Sequence, residues 1–184
     1  MKKLLISFLL SFFCIMSYGQ NNMTFKGYDL NCTVQQLSNK LVNEGYEIKS
    51  NLLPNMYSLK GTFAGESAEI VVSGDFQTNV VSTIIVEFEQ KSSWESLEKE
   101  YLNFKKSLNK KYNEGESVEI FKEPYSKGDG KEMTALNTQN CTYTTKYKFD
   151  NGFIVLSISK KGTVQLFYFI NSQKSKEQQR NNDL

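Results

Sequence analysis

The chain contains no histidine. That absence removes the Ser–His–Asp triad, the Cys–His dyad and every imidazole metal ligand. Cysteine is scarce too, with Cys14, Cys32 and Cys141 far apart in sequence, so no cysteine metal cluster is expected. No EF-hand spacing occurs, which leaves calcium without a specific site. The segment Gly61-Thr62-Phe63-Ala64-Gly65 lacks the Lys-Ser/Thr and the following helix of a phosphate loop, and reads as the end of a strand. No cofactor is implied. Long apolar runs are also missing except at 4–16, which is too short to span a bilayer comfortably.

That run has a meaning of its own. Met1-Lys2-Lys3 precedes it, and Ser17-Tyr18-Gly19-Gln20 follows it. A basic start, a short apolar stretch and a small–x–small site together make a secretory signal peptide over 1–19. Cys14 is preceded by Phe13 rather than a small residue, which favours cleavage after Gly19 over lipid attachment. The protein is therefore expected to be exported: periplasmic, envelope-associated or secreted. Losing 1–19 takes Lys2 and Lys3 away and leaves 20 basic against 20 acidic residues. A neutral chain of this kind argues against nucleic acid as a partner. Export also makes a disulfide between Cys32 and Cys141 a candidate. It would close a loop of about 110 residues, worth on the order of 4–5 kcal/mol; unpaired, both would be small buried hydrophobes.

The clearest element is a helix over 92–115. Trp94, Leu97, Tyr101, Phe104, Leu108 and Tyr112 recur at steps of three and four and share one face. Ser92-x-x-Glu95 matches a capping box, and Gly115 offers a left-handed stop. A shorter helix opens at Thr33, where Thr33-x-x-Gln36 matches the same box, and runs through Val34, Leu37, Leu41 and Val42 to Gly45. The rest is strand-like. Residues 23–27 alternate apolar and polar, as do 56–64, 69–73 and 80–89; in the last, Ile84, Val86 and Phe88 face one way and Ile85 and Glu87 the other. After a strand near Val118, Ile120 and Phe121 comes a polar stretch, 123–140, expected to be a long loop. Residues 142–150, 153–160 and 163–170 read as a meander, with Asp150-Asn151-Gly152 a strong hairpin signal.

The expected architecture is α+β, with two helices packed on one face of a mainly antiparallel sheet. A single domain spans 20–170, and a polar tail occupies 171–184. Helix, glycine stop and strands occur in the same order in 23–90 and 91–170, which suggests a tandem helix-plus-strands unit.

Candidate chemistry is thin. Asp129 with Glu132, and Glu114 with Glu116, are the local carboxylate pairs, all in turn-like segments where carboxylates are usually only solvated. No catalytic or metal-binding residue is assigned. Tyr143, Tyr147 and Phe149 share one face of their strand, and Phe167 with Phe169 share another nearby. An aromatic β face could hold a protein, peptide or glycan, unless it packs beneath the helices.

Met-Thr-Phe-Lys-Gly at 23–27, Leu-Lys-Gly-Thr-Phe-Ala-Gly at 59–65, Ser93-Trp94 with Leu97 and Tyr101, and Asp150-Asn151-Gly152 resemble small exported proteins of Bacteroides-type bacteria. The resemblance implies a Gram-negative envelope or secreted location and carries over no functional residue. The helix-then-strands order also resembles the architecture of the β-lactamase inhibitory protein and of small outer-membrane assembly lipoproteins, a likeness of fold alone. The expected function is a non-enzymatic module that binds a protein or peptide through Tyr143, Tyr147 and Phe149 or through the 123–140 loop. The alternatives are a carboxylate-dependent hydrolase using Asp129 and Glu132, or a structural subunit whose strand edges pair with copies of itself.

Overall fold

The computed structural model describes residues 22–171. The expected signal peptide, with Cys14, and the tail beyond Asn171 lie outside the described residues. Within them the chain runs α1 (Val34–Asn43), β1 (Glu47–Leu53), β2 (Met56–Phe63), β3 (Glu66–Gly74), β4 (Val81–Phe88), α2 (Trp94–Tyr112), β5 (Glu116–Phe121), α3 (Glu132–Asn137), β6 (Cys141–Phe149), β7 (Gly152–Ile158) and β8 (Val164–Ile170). The strands form one sheet in the order β1-β2-β3-β4-β8-β7-β6-β5. Every neighbouring pair is antiparallel. The fold is α+β. Two meanders, one after each long helix, meet at the β4–β8 seam, where Thr83 to Glu87 pair with Phe169 to Gln165.

Local signals explain most element ends. At α1, Thr33 Oγ1 accepts from Gln36 N while the Gln36 side chain accepts from Thr33 N, the reciprocal pair expected. At α2 the cap is one residue later than the box suggests: Ser93 Oγ accepts from Ser96 N. This helix also stops before its glycine, because Asn113 takes the positive φ of 66°. Gly115 has another use. A Cβ there would lie 2.7 Å from Thr145 Cγ2 and 2.8 Å from Tyr147 Cε1, so only glycine lets β5 start this close to β6. The expected hairpin forms with Asp150 and Asn151 between Phe149 and Gly152, but neither turn residue takes the positive φ that an Asn-Gly type I′ turn requires; that conformation falls on Gly152, the first residue of β7.

One face of the sheet is buried. Leu59, Ile70, Val72, Ile84, Val86, Ile154, Leu156 and Leu166 point into it, and the split of Ile84, Val86 and Phe88 from Ile85 and Glu87 follows the sequence alternation. Val34, Leu37 and Leu41 of α1 and Trp94, Leu97 and Tyr101 of α2 belong to the same apolar cluster. Each such side chain contributes about 1.5–3 kcal/mol by leaving water. α1 packs against β2 and β3, and α2 against β7 and β8.

Three expectations are corrected. Residues 23–27 are not a strand: Lys26 and Gly27 take positive φ and bend the chain back, leaving only the Phe25–Tyr28 bridge. Met23, Phe25 and Leu30 are buried, so the alternation records docking onto the core instead of strand pairing. The stretch 123–140 contains α3, whose Ala135 and Leu136 are buried. The disulfide is absent, since Cys32 and Cys141 are free thiols. Cys32 lies just before α1, beside the start of β4, whereas Cys141 opens β6 on the other side of the seam.

Candidate binding face

The tyrosines and phenylalanine expected to bind are committed elsewhere. Tyr143 and Tyr147 are each 3% exposed and lie against α2. The Tyr143 hydroxyl donates to Glu98 Oε1 at 2.9 Å, and its ring meets Trp94 edge-on at 4.9 Å. Tyr147 donates to Asn109 Oδ1 at 2.7 Å, and burial pushes its hydroxyl up to about 12. Phe149 packs edge-to-face on Tyr112 at 4.9 Å. Between them Tyr101 reaches Thr145 Oγ1 at 2.6 Å. These rings hold α2 to the sheet. Their spacing is a core signal.

The other aromatic set points the opposite way. Strand register places Val71, Ile85, Phe167, Val155 and Lys146 in one row across β3, β4, β8, β7 and β6. A second row runs Thr83, Phe169, Phe153, Lys148. Of these side chains Lys148 is exposed and the rest are half-buried, as suits a sheet face whose neighbours shade one another while solvent lies above. Phe153 stacks on Phe169 at 4.7 Å, Phe167 lies 6.0 Å from Phe169, and the Lys146 ammonium sits 4.2 Å from the Phe153 ring centre. The charged margin is uneven. On one side Glu87 Oε1 accepts from Thr163 Oγ1 and Gln165 Nε2, and Glu69 accepts from Ser58. On the other, Lys146 and Lys148 stand beside Glu116. An apolar, aromatic centre with polar rims is the composition of a recognition surface. Phe167 and Phe169 are visible in sequence as a shared face; strand neighbours decide that this face is the outward one.

Three of the four acidic candidates do structural work, and Glu114 is exposed. Asp129 accepts backbone N–H bonds from Ser126 and Lys131, which hold its carboxyl below the usual range, and Glu132 Oε1 accepts from Gly128 N at 2.7 Å. Both order the loop ahead of α3. Glu116 is bound to Lys148 across the β5–β6 pair. The thiols are poor nucleophiles, because burial pushes Cys141 up to about 11 and raises Cys32 as well. Among the described residues no group of three or more His, Cys, Asp or Glu could hold a metal ion. No described helix is long and apolar enough to cross a membrane.

A shallow groove of about 440 Å³ lies along α2, lined by Glu66, Lys91, Lys99, Glu100, Asn103 and Phe104. Glu100 Oε1 meets Lys91 Nζ at 3.0 Å, while Oε2 is buried without a hydrogen-bond partner. Burial raises the Glu100 pKa, Lys91 opposes the rise, and Glu66 and Glu89 add to it. Between the ordinary carboxylate pKa and the raised one, the folded chain keeps a proton that the unfolded chain has lost. Stability therefore falls as pH rises through that window, and the loss persists above it. Glu100→Gln is expected to melt higher than the parent at about pH 8 and to lose this slope. Calorimetric Tm profiles against pH check this; superimposable profiles would contradict it.

No protein-family model, no curated protein and no solved structure matches this chain.

Proposed function

We propose that the protein is an exported, non-enzymatic binding module of the Bacteroides-type envelope, and that the Phe153–Phe167–Phe169 face holds a protein or peptide partner. The supporting observation is the aromatic cluster itself, turned away from the core on the central strands of an eight-stranded sheet. In this reading the chain is a helix-plus-four-strands unit used twice. Both long helices cover one face, and the second face is left for recognition. The two units differ most where α3 is inserted between β5 and β6. Lys146 and Lys148 beside the rings favour a partner that offers carboxylates next to apolar side chains.

Peptides selected from a random display library on the immobilised protein test the reading. Their affinity is expected to fall by about tenfold or more on Phe167→Thr, because an aromatic anchor at the centre of a contact is typically worth at least about 1.4 kcal/mol. Threonine keeps the strand propensity, so the variant should melt as a folded protein. Selected peptides that bind parent and variant alike would rule this face out as the binding site.

A further inference from the structure

The sheet has two edges, and they are not equivalent. β1 breaks register with β2 twice, between Ile48 and Ser50 and between Asn51 and Leu53. Irregularities of this kind twist an edge away from a would-be neighbour and blunt it. β5 has none. Its six residues pair with β6 in unbroken register, from Glu116 with Lys146 to Phe121 with Cys141. The ladder's phase follows from one further bond, in which Lys122 N donates to Asn140 O at 2.8 Å. Even-numbered residues therefore turn their backbone groups toward β6, and Ser117, Glu119 and Phe121 turn theirs to the free edge. No described strand lies beyond them. Beside those groups Val118 and Ile120, on one face of the strand, are each 48% exposed.

We infer that β5 pairs with β5 of a second copy, antiparallel and centred on Glu119, to give a two-fold symmetric dimer with a continuous sheet. This register is self-complementary. Ser117 and Phe121 exchange main-chain bonds with the second copy's Phe121 and Ser117, and the two Glu119 residues do the same at the axis. Val118 then lies opposite the second copy's Ile120 in a non-hydrogen-bonded pair, where side chains approach most closely. Glu116 lies opposite the second copy's Lys122. Each apolar contact and each ion pair occurs twice, as an isologous interface requires. The like charges at the axis are already compensated, because each Glu119 sits 2.6 Å from its own Lys105. An edge contact alone is small, so the dimer is weak and reversible.

Sedimentation equilibrium on the purified protein tests this, and the expected result is a monomer–dimer equilibrium reached at or below about 1 mM. Val118→Lys and Ile120→Lys should each weaken it by about tenfold or more while leaving the melting temperature nearly unchanged, since neither side chain is in the core. Charge reversal reads the register directly. Glu116→Lys and Lys122→Glu should each weaken association, and the two together should restore it. A protein that stays monomeric to that concentration overturns the inference. So does a dimer indifferent to Val118→Lys and Ile120→Lys, or a double charge reversal that fails to recover affinity.

Discussion

Gly152→Ala is expected to destabilise the protein by more than about 3 kcal/mol, an unusually large effect for one methyl group. Two independent causes combine. Gly152 has φ of 151°, a conformation L residues rarely adopt. An added Cβ would also sit 2.0 Å from the Phe169 carbonyl oxygen and 3.1 Å from Met23 Cε. The first obstacle is backbone of β8, so it cannot swing aside like a side chain, and relief requires β7 and β8 to separate at their Gly152–Ile170 end. A urea transition monitored by circular dichroism measures the loss. Gly65, at φ of 91° and with open space where an alanine methyl would stand, is the matched control for backbone strain alone. If both alanine variants shift the midpoint equally, the contact with Phe169 is not the cause.

Phe25→Ala should cost about 3–5 kcal/mol, the range for deleting a fully buried phenylalanine. Its ring stacks on Phe63 at 5.4 Å and meets Tyr168 edge-on at 5.1 Å, so one side chain touches a strand from each meander. The backbone around it has little to replace that contact: a single bridge to Tyr28, and the Asn151 side chain, which accepts from Met23 N and donates to Met23 O. A urea midpoint shift equivalent to less than about 1 kcal/mol would show that this segment adds little to the core.

These two sites illustrate what a sequence can disclose. The Asp150-Asn151-Gly152 turn is legible because its chemistry is local, and the Thr33–Gln36 box is legible for the same reason. The stripe from Trp94 to Tyr112 names a helix and its inward face, although of its six residues only Trp94, Leu97 and Tyr101 are buried and Phe104, Leu108 and Tyr112 are partly so. Phe25 reads wrongly as part of a strand because alternating burial does not distinguish a strand from a docked segment that turns back on itself. α3 escapes notice because six residues without a side-chain cap carry too little periodicity. The candidate face falls on the wrong aromatics for a deeper reason. Tyr143, Tyr147 and Phe149 have the same period of two as Phe167 and Phe169, and period alone does not tell inward from outward. The distinction comes from α2 lying over β7 and from hydroxyl partners such as Glu98 and Asn109, all distant in sequence.

The strand order also bears on how the molecule is made. β8 is the last strand in the described chain, yet it occupies the middle of the sheet, between β4 and β7. A ribosome that has released everything up to Ile158 has supplied two half-sheets with no hydrogen-bonded seam between them. Only when Val164–Ile170 emerges can Ile84 and Val86 find Tyr168 and Leu166. The nascent chain thus has no complete sheet until Val164–Ile170 has emerged, and assembly must wait for contacts of long sequence separation, a slow class of folding event. A polypeptide that finishes folding late is also one that stays threadable for longest.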